Sequence, residues 1–129
     1  MNRTARKLLL DIHSKRAKIA ILGLGYVGLP LAVTFVKKGF HLTGIDIDPS
    51  RVEQLRKGRS YVEDIPSKEV REAFRKGRLE VSASEDPLSD VDVVIVCVPT
   101  PLPKAAWSTT MCVRGFDSLD WVTGVGILR

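Results

Sequence analysis

The sequence predicts an α/β fold: a parallel sheet with helical crossovers, the first half of a doubly wound architecture. Three observations carry this expectation. A short apolar run at Lys18–Leu22 opens directly into the spacing G-x-G-x-x-G at Gly23, Gly25 and Gly28. Three helix-like segments then close on the same punctuation, two cations and a glycine: Lys37-Lys38-Gly39, Arg56-Lys57-Gly58 and Arg75-Lys76-Gly77. The cations suit the negative end of a helix dipole, and the glycine can take the left-handed conformation that ends a helix. Finally, residues 92–98 form a continuous run rich in β-branched side chains, as expected of a strand buried on both faces of a parallel sheet.

Taken in order, Lys18–Leu22 (KIAIL) is the first strand. Val27, Leu31 and Phe35 then recur every four residues and mark the inward face of a helix, with Pro30 in its first turn, where a missing N–H costs little. His41–Ile45 (HLTGI) is the second strand. Asp48-Pro49 opens a helix as N-cap and first residue, with Val52 and Leu55 facing inward. Ser67 caps a third helix carrying Val70, Ala73 and Phe74, and residues 79–83 and 92–98 follow as strands. The resulting order β-α-β-α-α-β-β is Rossmann-like.

Composition bounds the rest. A chain of 129 residues, 44% hydrophobic and 27% charged, suits a single globular domain. No apolar run is long enough to span a membrane, and the one at the N-terminus stops at Asp11, too early for a signal peptide, so the expected location is cytoplasmic. The net charge of +5 is local. Residues 1–18 carry six Lys/Arg against one acid, and the remainder carries fourteen of each sign. Residues 1–17 are thus a basic leader, expected to be helical with Leu8, Leu9 and Ile12 resting on the domain. Residues 18–104 are the Rossmann domain, and residues 105–129 form a tail without clear periodicity. No nucleic-acid or membrane partner is expected. No metal site is expected either, since Cys97, Cys112, His13 and His41 form no ligand spacing.

The glycine loop has the spacing of a phosphate clamp. Gly23 permits a tight turn, Gly25 lets the backbone approach a pyrophosphate, and Gly28 lets the helix pack closely on the sheet. The N–H groups of Tyr26 and Val27 would face the phosphates at the helix N-terminus. Asp46 stands at the end of the next strand, 18 residues past Gly28. A carboxylate there binds ribose hydroxyls and repels a 2′-phosphate, which favours NAD over NADP. Arg51 either flanks the adenosine end or is an ordinary surface arginine.

Residues 23–32 (GLGYVGLPLA), 44–48 (GIDID) and 98–102 (VPTPL) together resemble the N-terminal domain of the UDP-glucose/GDP-mannose dehydrogenase family. Residues 58–67 (GRSYVEDIPS) look more like the branch acting on UDP-N-acetylhexosamines. The resemblance implies an NAD-dependent enzyme of polysaccharide biosynthesis that oxidises the C6 alcohol of a nucleotide sugar to a carboxylate. It also implies that Val98, Pro99 and Thr100 end the fourth strand beside the cofactor, with Thr100 free to hydrogen-bond it. The family's catalytic cysteine and lysine lie in regions with no counterpart here, so no catalytic residue is assigned. The expectation is a truncated member whose pattern departs near Ala105, inactive alone, with UDP-sugar bound only in the full-length enzyme. An incomplete sheet leaves room for self-association. The alternatives are a stand-alone NAD-binding or interaction module, or another Rossmann dehydrogenase, against which the VPTPL run argues.

Overall fold

A computed structural model describes residues 3–97 and 125–127. The chain runs α1 (Arg3–His13), β1 (Lys18–Leu22), α2 (Gly28–Lys37), β2 (His41–Ile45), α3 (Pro49–Arg56), α4 (Ser67–Arg75) and β3 (Leu79–Ser82). A 3₁₀ turn (Asp86–Asp90), β4 (Val93–Val96) and β5 (Val125–Ile127) complete it. The sheet order is β3-β2-β1-β4-β5. The first four strands are parallel, with Ile21 facing Gly44 on β2 and Ile95 on β4. This is the 3-2-1-4 half of a doubly wound sheet. The edge beside β4 differs from expectation, because β5 lies antiparallel to β4, with Val93 opposite Ile127. Three residues are too few to announce a strand by alternation.

One face of the sheet carries the main core. Ile19, Ile21, Leu42, Leu79 and Val93 meet Leu29 and Val33 of α2, Val52 and Leu55 of α3, and Val70 and Ala73 of α4. Each such large side chain contributes roughly 1.5–3 kcal/mol of burial. The opposite face gathers Ala20, Leu22, Ile45 and Val94 around Leu88 of the 3₁₀ turn.

Helix stops fall where the punctuation places them: Gly39, Gly58 and Gly77 all have positive φ. Asp48 caps α3, its carboxylate accepting from the Ser50 N–H at 2.9 Å, with Pro49 in the first turn. The Ser50 hydroxyl, which donates to the same carboxylate at 2.8 Å, holds the Asp48 carboxyl below its ordinary pKa, followed by the Ser50 N–H and Arg51.

Three expectations about faces and caps are corrected. The sheet-facing stripe of α2 is Gly28, Leu29, Ala32, Val33 and Val36, whereas Val27 is exposed and Leu31 and Phe35 only flank the core. In a helix this uniformly apolar several faces satisfy the period, and the close approach at Gly28 selects among them. Ser67 does not cap α4. Pro66 occupies the N-cap, and the Ser67 hydroxyl instead accepts the Ser60 N–H at 3.0 Å, tying the preceding loop to the helix. On α1, Leu8 packs against the core, but Leu9 and Ile12 remain exposed.

Candidate functional site

The carboxyl ends of the parallel strands converge on the glycine loop. The Gly23 N–H donates to the Ile45 carbonyl at 2.8 Å, and the Cys97 N–H donates to the Leu22 carbonyl at 2.7 Å. Gly23 turns with φ +95. Gly28 faces this turn so closely that an added Cβ would lie 1.7 Å from the Gly23 carbonyl oxygen and 3.3 Å from the Cys97 Cβ. At Gly25, by contrast, an added Cβ would meet only the Arg51 guanidinium, at 3.7 Å. The backbone there is open to a ligand.

Among the described residues, the N–H groups of Gly25, Tyr26 and Val27 carry no hydrogen bond. The first intrahelical bonds begin beyond them, Leu29 N–H to the Gly25 carbonyl and Leu31 N–H to the Val27 carbonyl. Three orphan donors at the positive end of a helix dipole form a cradle that fits a pyrophosphate.

Asp46 lies beside this loop and is the one buried charged residue among those described, at 5% exposure. Its Oδ1 accepts from the Asp48 N–H at 2.9 Å, and its Oδ2 from the Leu24 N–H at 2.9 Å and Arg51 Nη1 at 3.3 Å. A carboxylate offers about four acceptor sites, so these three bonds leave one for a ribose hydroxyl. Asp46 therefore holds the loop in shape and retains capacity for a ligand. Arg51 bonds to Asp46 and stacks on the Tyr61 ring, 5.4 Å from its centroid. Gly25, Tyr26, Arg51, Gln54 and Tyr61 line a cavity of about 220 Å³ at this edge.

Two participants were not legible in the sequence. Leu24, the variable residue inside G-x-G, is fully buried, and its methyl groups lie where a side chain on Gly44 would begin. Tyr61 donates its hydroxyl to the Leu24 carbonyl. Burial pushes the Tyr61 pKa well up, reinforced by the charge of Asp46 and opposed by Arg51, so the phenol stays a donor. Tyr61 belongs to the 58–67 stretch, which the structure brings against the glycine loop at Leu24.

Cys97 is half-buried beside Gly28, and burial pushes its thiol pKa up, the reverse of an activated nucleophile. Val98, Pro99 and Thr100 lie outside the described residues. Among the described residues, no cluster of His, Cys, Asp or Glu could hold a metal, and no helix is long and apolar enough to cross a membrane.

Known proteins share this sequence pattern and fold. Residues 17–115 match the UDP-glucose/GDP-mannose dehydrogenase family, NAD binding domain. A UDP-N-acetyl-D-glucosamine 6-dehydrogenase of Pseudomonas aeruginosa is 41% identical over 90 residues, covering 70% of this chain and 20% of that protein. A UDP-N-acetyl-D-mannosamine dehydrogenase of Pyrococcus horikoshii is 35% identical over 86 residues, covering 66% and 21%. The structure of a UDP-glucose dehydrogenase from Pyrobaculum islandicum superposes with a TM-score of 0.63 at 37% identity, over 68% of this chain and 21% of that one. The chain thus spans about a fifth of the length of the relatives it matches. With a family match over residues 17–115, most of its length, the chain belongs to the UDP-glucose/GDP-mannose dehydrogenase family through its NAD binding domain.

Proposed function

We propose that this chain supplies the NAD-binding part of a nucleotide-sugar 6-dehydrogenase acting on a UDP-N-acetylhexosamine in the cytoplasm, for polysaccharide biosynthesis. The observation that carries the cofactor site is the set of unbonded N–H groups at Gly25, Tyr26 and Val27 beside the buried carboxylate of Asp46. The loop amides would hold the pyrophosphate and Asp46 the adenosine ribose, with Arg51 flanking it. Val98, Pro99 and Thr100 would continue the site past β4. NAD, when bound, accepts a hydride from the carbon being oxidised. What these residues contribute is orientation: a fixed clamp at the adenosine end sets where the far end of the dinucleotide falls. The substrate branch rests on the relatives named for UDP-N-acetyl sugars.

The chain spans about a fifth of the length of the relatives it matches, and the family's catalytic cysteine and lysine are expected outside that span, so by itself it binds cofactor without turning over a sugar. Calorimetric titration with NAD tests the site. The wild-type chain binds, and Asp46→Ala loses at least about tenfold in affinity, the worth of one hydrogen bond to a charged group. A thermal melt run alongside separates lost contact from lost fold, since Asp46 also holds Leu24. Equal affinity in a folded Asp46→Ala chain would remove the ribose assignment. Production of a uronate from a UDP-sugar by this chain alone would overturn its catalytic incompleteness.

A further inference from the structure

Leu24 is tied at both ends to the same cluster. Its N–H donates to Asp46 Oδ2 and its carbonyl accepts from the Tyr61 hydroxyl. The Tyr61 ring carries Arg51, whose Nη1 returns to that same Asp46 oxygen. The circuit Leu24–Asp46–Arg51–Tyr61 is closed, and it surrounds the open approach to Gly25. Arg51 is also within 4.0 Å of Asp48 Oδ2 and its side chain is 41% exposed, so Asp46 alone does not fix where its charge points.

We propose that Tyr61 is a positioning residue that determines which dinucleotide the site accepts, by holding Arg51 in its ion pair with Asp46, so that its charge is not free for a 2′-phosphate. The inference rests on the cofactor reading given above. An arginine near this carboxylate is the group that can accommodate a 2′-phosphate. Stacked on Tyr61, its guanidinium spends its charge on Asp46, and the carboxylate meets a ribose diol with its last acceptor site. Released from the ring, the guanidinium can pivot toward a 2′-phosphate and offset the repulsion from Asp46. The ring and the hydroxyl therefore have separate duties: the ring places Arg51, and the hydroxyl fixes the glycine loop through Leu24.

Two variants of the full 129-residue chain separate these duties by titration with NAD and NADP. Tyr61→Leu shifts the NAD-to-NADP affinity ratio toward NADP by roughly two- to fivefold, the range of a half-exposed cation–π contact. Tyr61→Phe keeps the ring, so its ratio stays at the wild-type value while affinity for both dinucleotides falls together. A purely structural tyrosine would lower both affinities and leave the ratio unmoved in either variant. An unchanged ratio in Tyr61→Leu, or an equal shift in Tyr61→Phe, overturns the proposal while the cofactor reading stands. Absence of NAD binding by the wild-type chain overturns both. If Tyr61→Leu fails to fold, Arg51→Leu replaces it: lacking the cation, it must show no gain for NADP.

Discussion

The two edges of the sheet use cations in opposite ways. At the carboxyl edge, Arg51 is held by an ion pair to Asp46 and by the Tyr61 ring, around a cavity of about 220 Å³. At the amino edge, Lys15, Arg16, Lys38, His41 and Arg78 surround a larger one of about 610 Å³. There, Arg16 reaches Asp11 at 3.5 Å, while Lys15, Lys38 and Arg78 have no ion pair among the described residues. The larger cavity holds more charge and less structure. A binding site needs polar groups fixed by other groups, and the amino edge has solvated side chains that surround the end of α2, whose dipole favours cations. Part of the net charge of the leader is therefore gathered at the edge away from the clamp.

Glycines test the contrast most sharply. At Gly28 the obstacle is steric: an added Cβ would sit 1.7 Å from a backbone oxygen and 2.8 Å from its carbon, neither of which can move without opening the loop. Gly28→Ala is expected to cost more than about 3 kcal/mol, beyond the usual range for overpacking, and to abolish the clamp. Urea unfolding measures this directly, and a loss below about 1 kcal/mol would mean that the loop yields. At Gly77, on the amino edge, an added Cβ meets nothing within 4 Å, and only its φ of +70 resists substitution. Gly77→Ala is expected to cost only about 1 kcal/mol, the strain of a left-handed non-glycine residue. The carboxyl edge is limited by contact, the amino edge by backbone conformation. Equal costs at the two positions would erase that distinction.

The same division explains what the sequence could reveal. Helix stops are local events, so Gly39, Gly58 and Gly77 were legible from their neighbours, as was the Asp48-Pro49 start. The parallel strands followed from apolar runs between those stops. Contacts between distant segments were not legible. Tyr61 reaches Leu24 across 37 residues, by way of a loop whose path no periodicity describes. Ser67 read as a cap because serine often is one. Its hydroxyl went instead to Ser60, seven residues back, once Pro66 had taken the extended N-cap position. The inward face of α2 was ambiguous because nearly every position is apolar, and only the steric demand of Gly28 decides it.

The smallest effect tests whether the amino-edge cations are unpaired. Arg78 lies beside Lys15, Lys38 and His41, and it makes no hydrogen bond or ion pair through its side chain among the described residues. Its backbone carbonyl accepts from Leu42 N–H at 2.8 Å, an interaction that a side-chain substitution leaves in place. Removing one of several like charges relieves repulsion, so Arg78→Gln is expected to stabilise the chain, by no more than about 0.5 kcal/mol. The gain should be measurable by urea unfolding at low salt and should vanish at high salt, where screening shortens the reach of each charge to a few ångströms. Arg51→Gln provides the opposite sign: removing its bond to the buried Asp46 carboxylate is expected to destabilise, and because the guanidinium is 41% exposed, salt reduces that loss without reversing it. If Arg78→Gln instead destabilises, packing of the arginine stem at the amino edge outweighs the relief of repulsion.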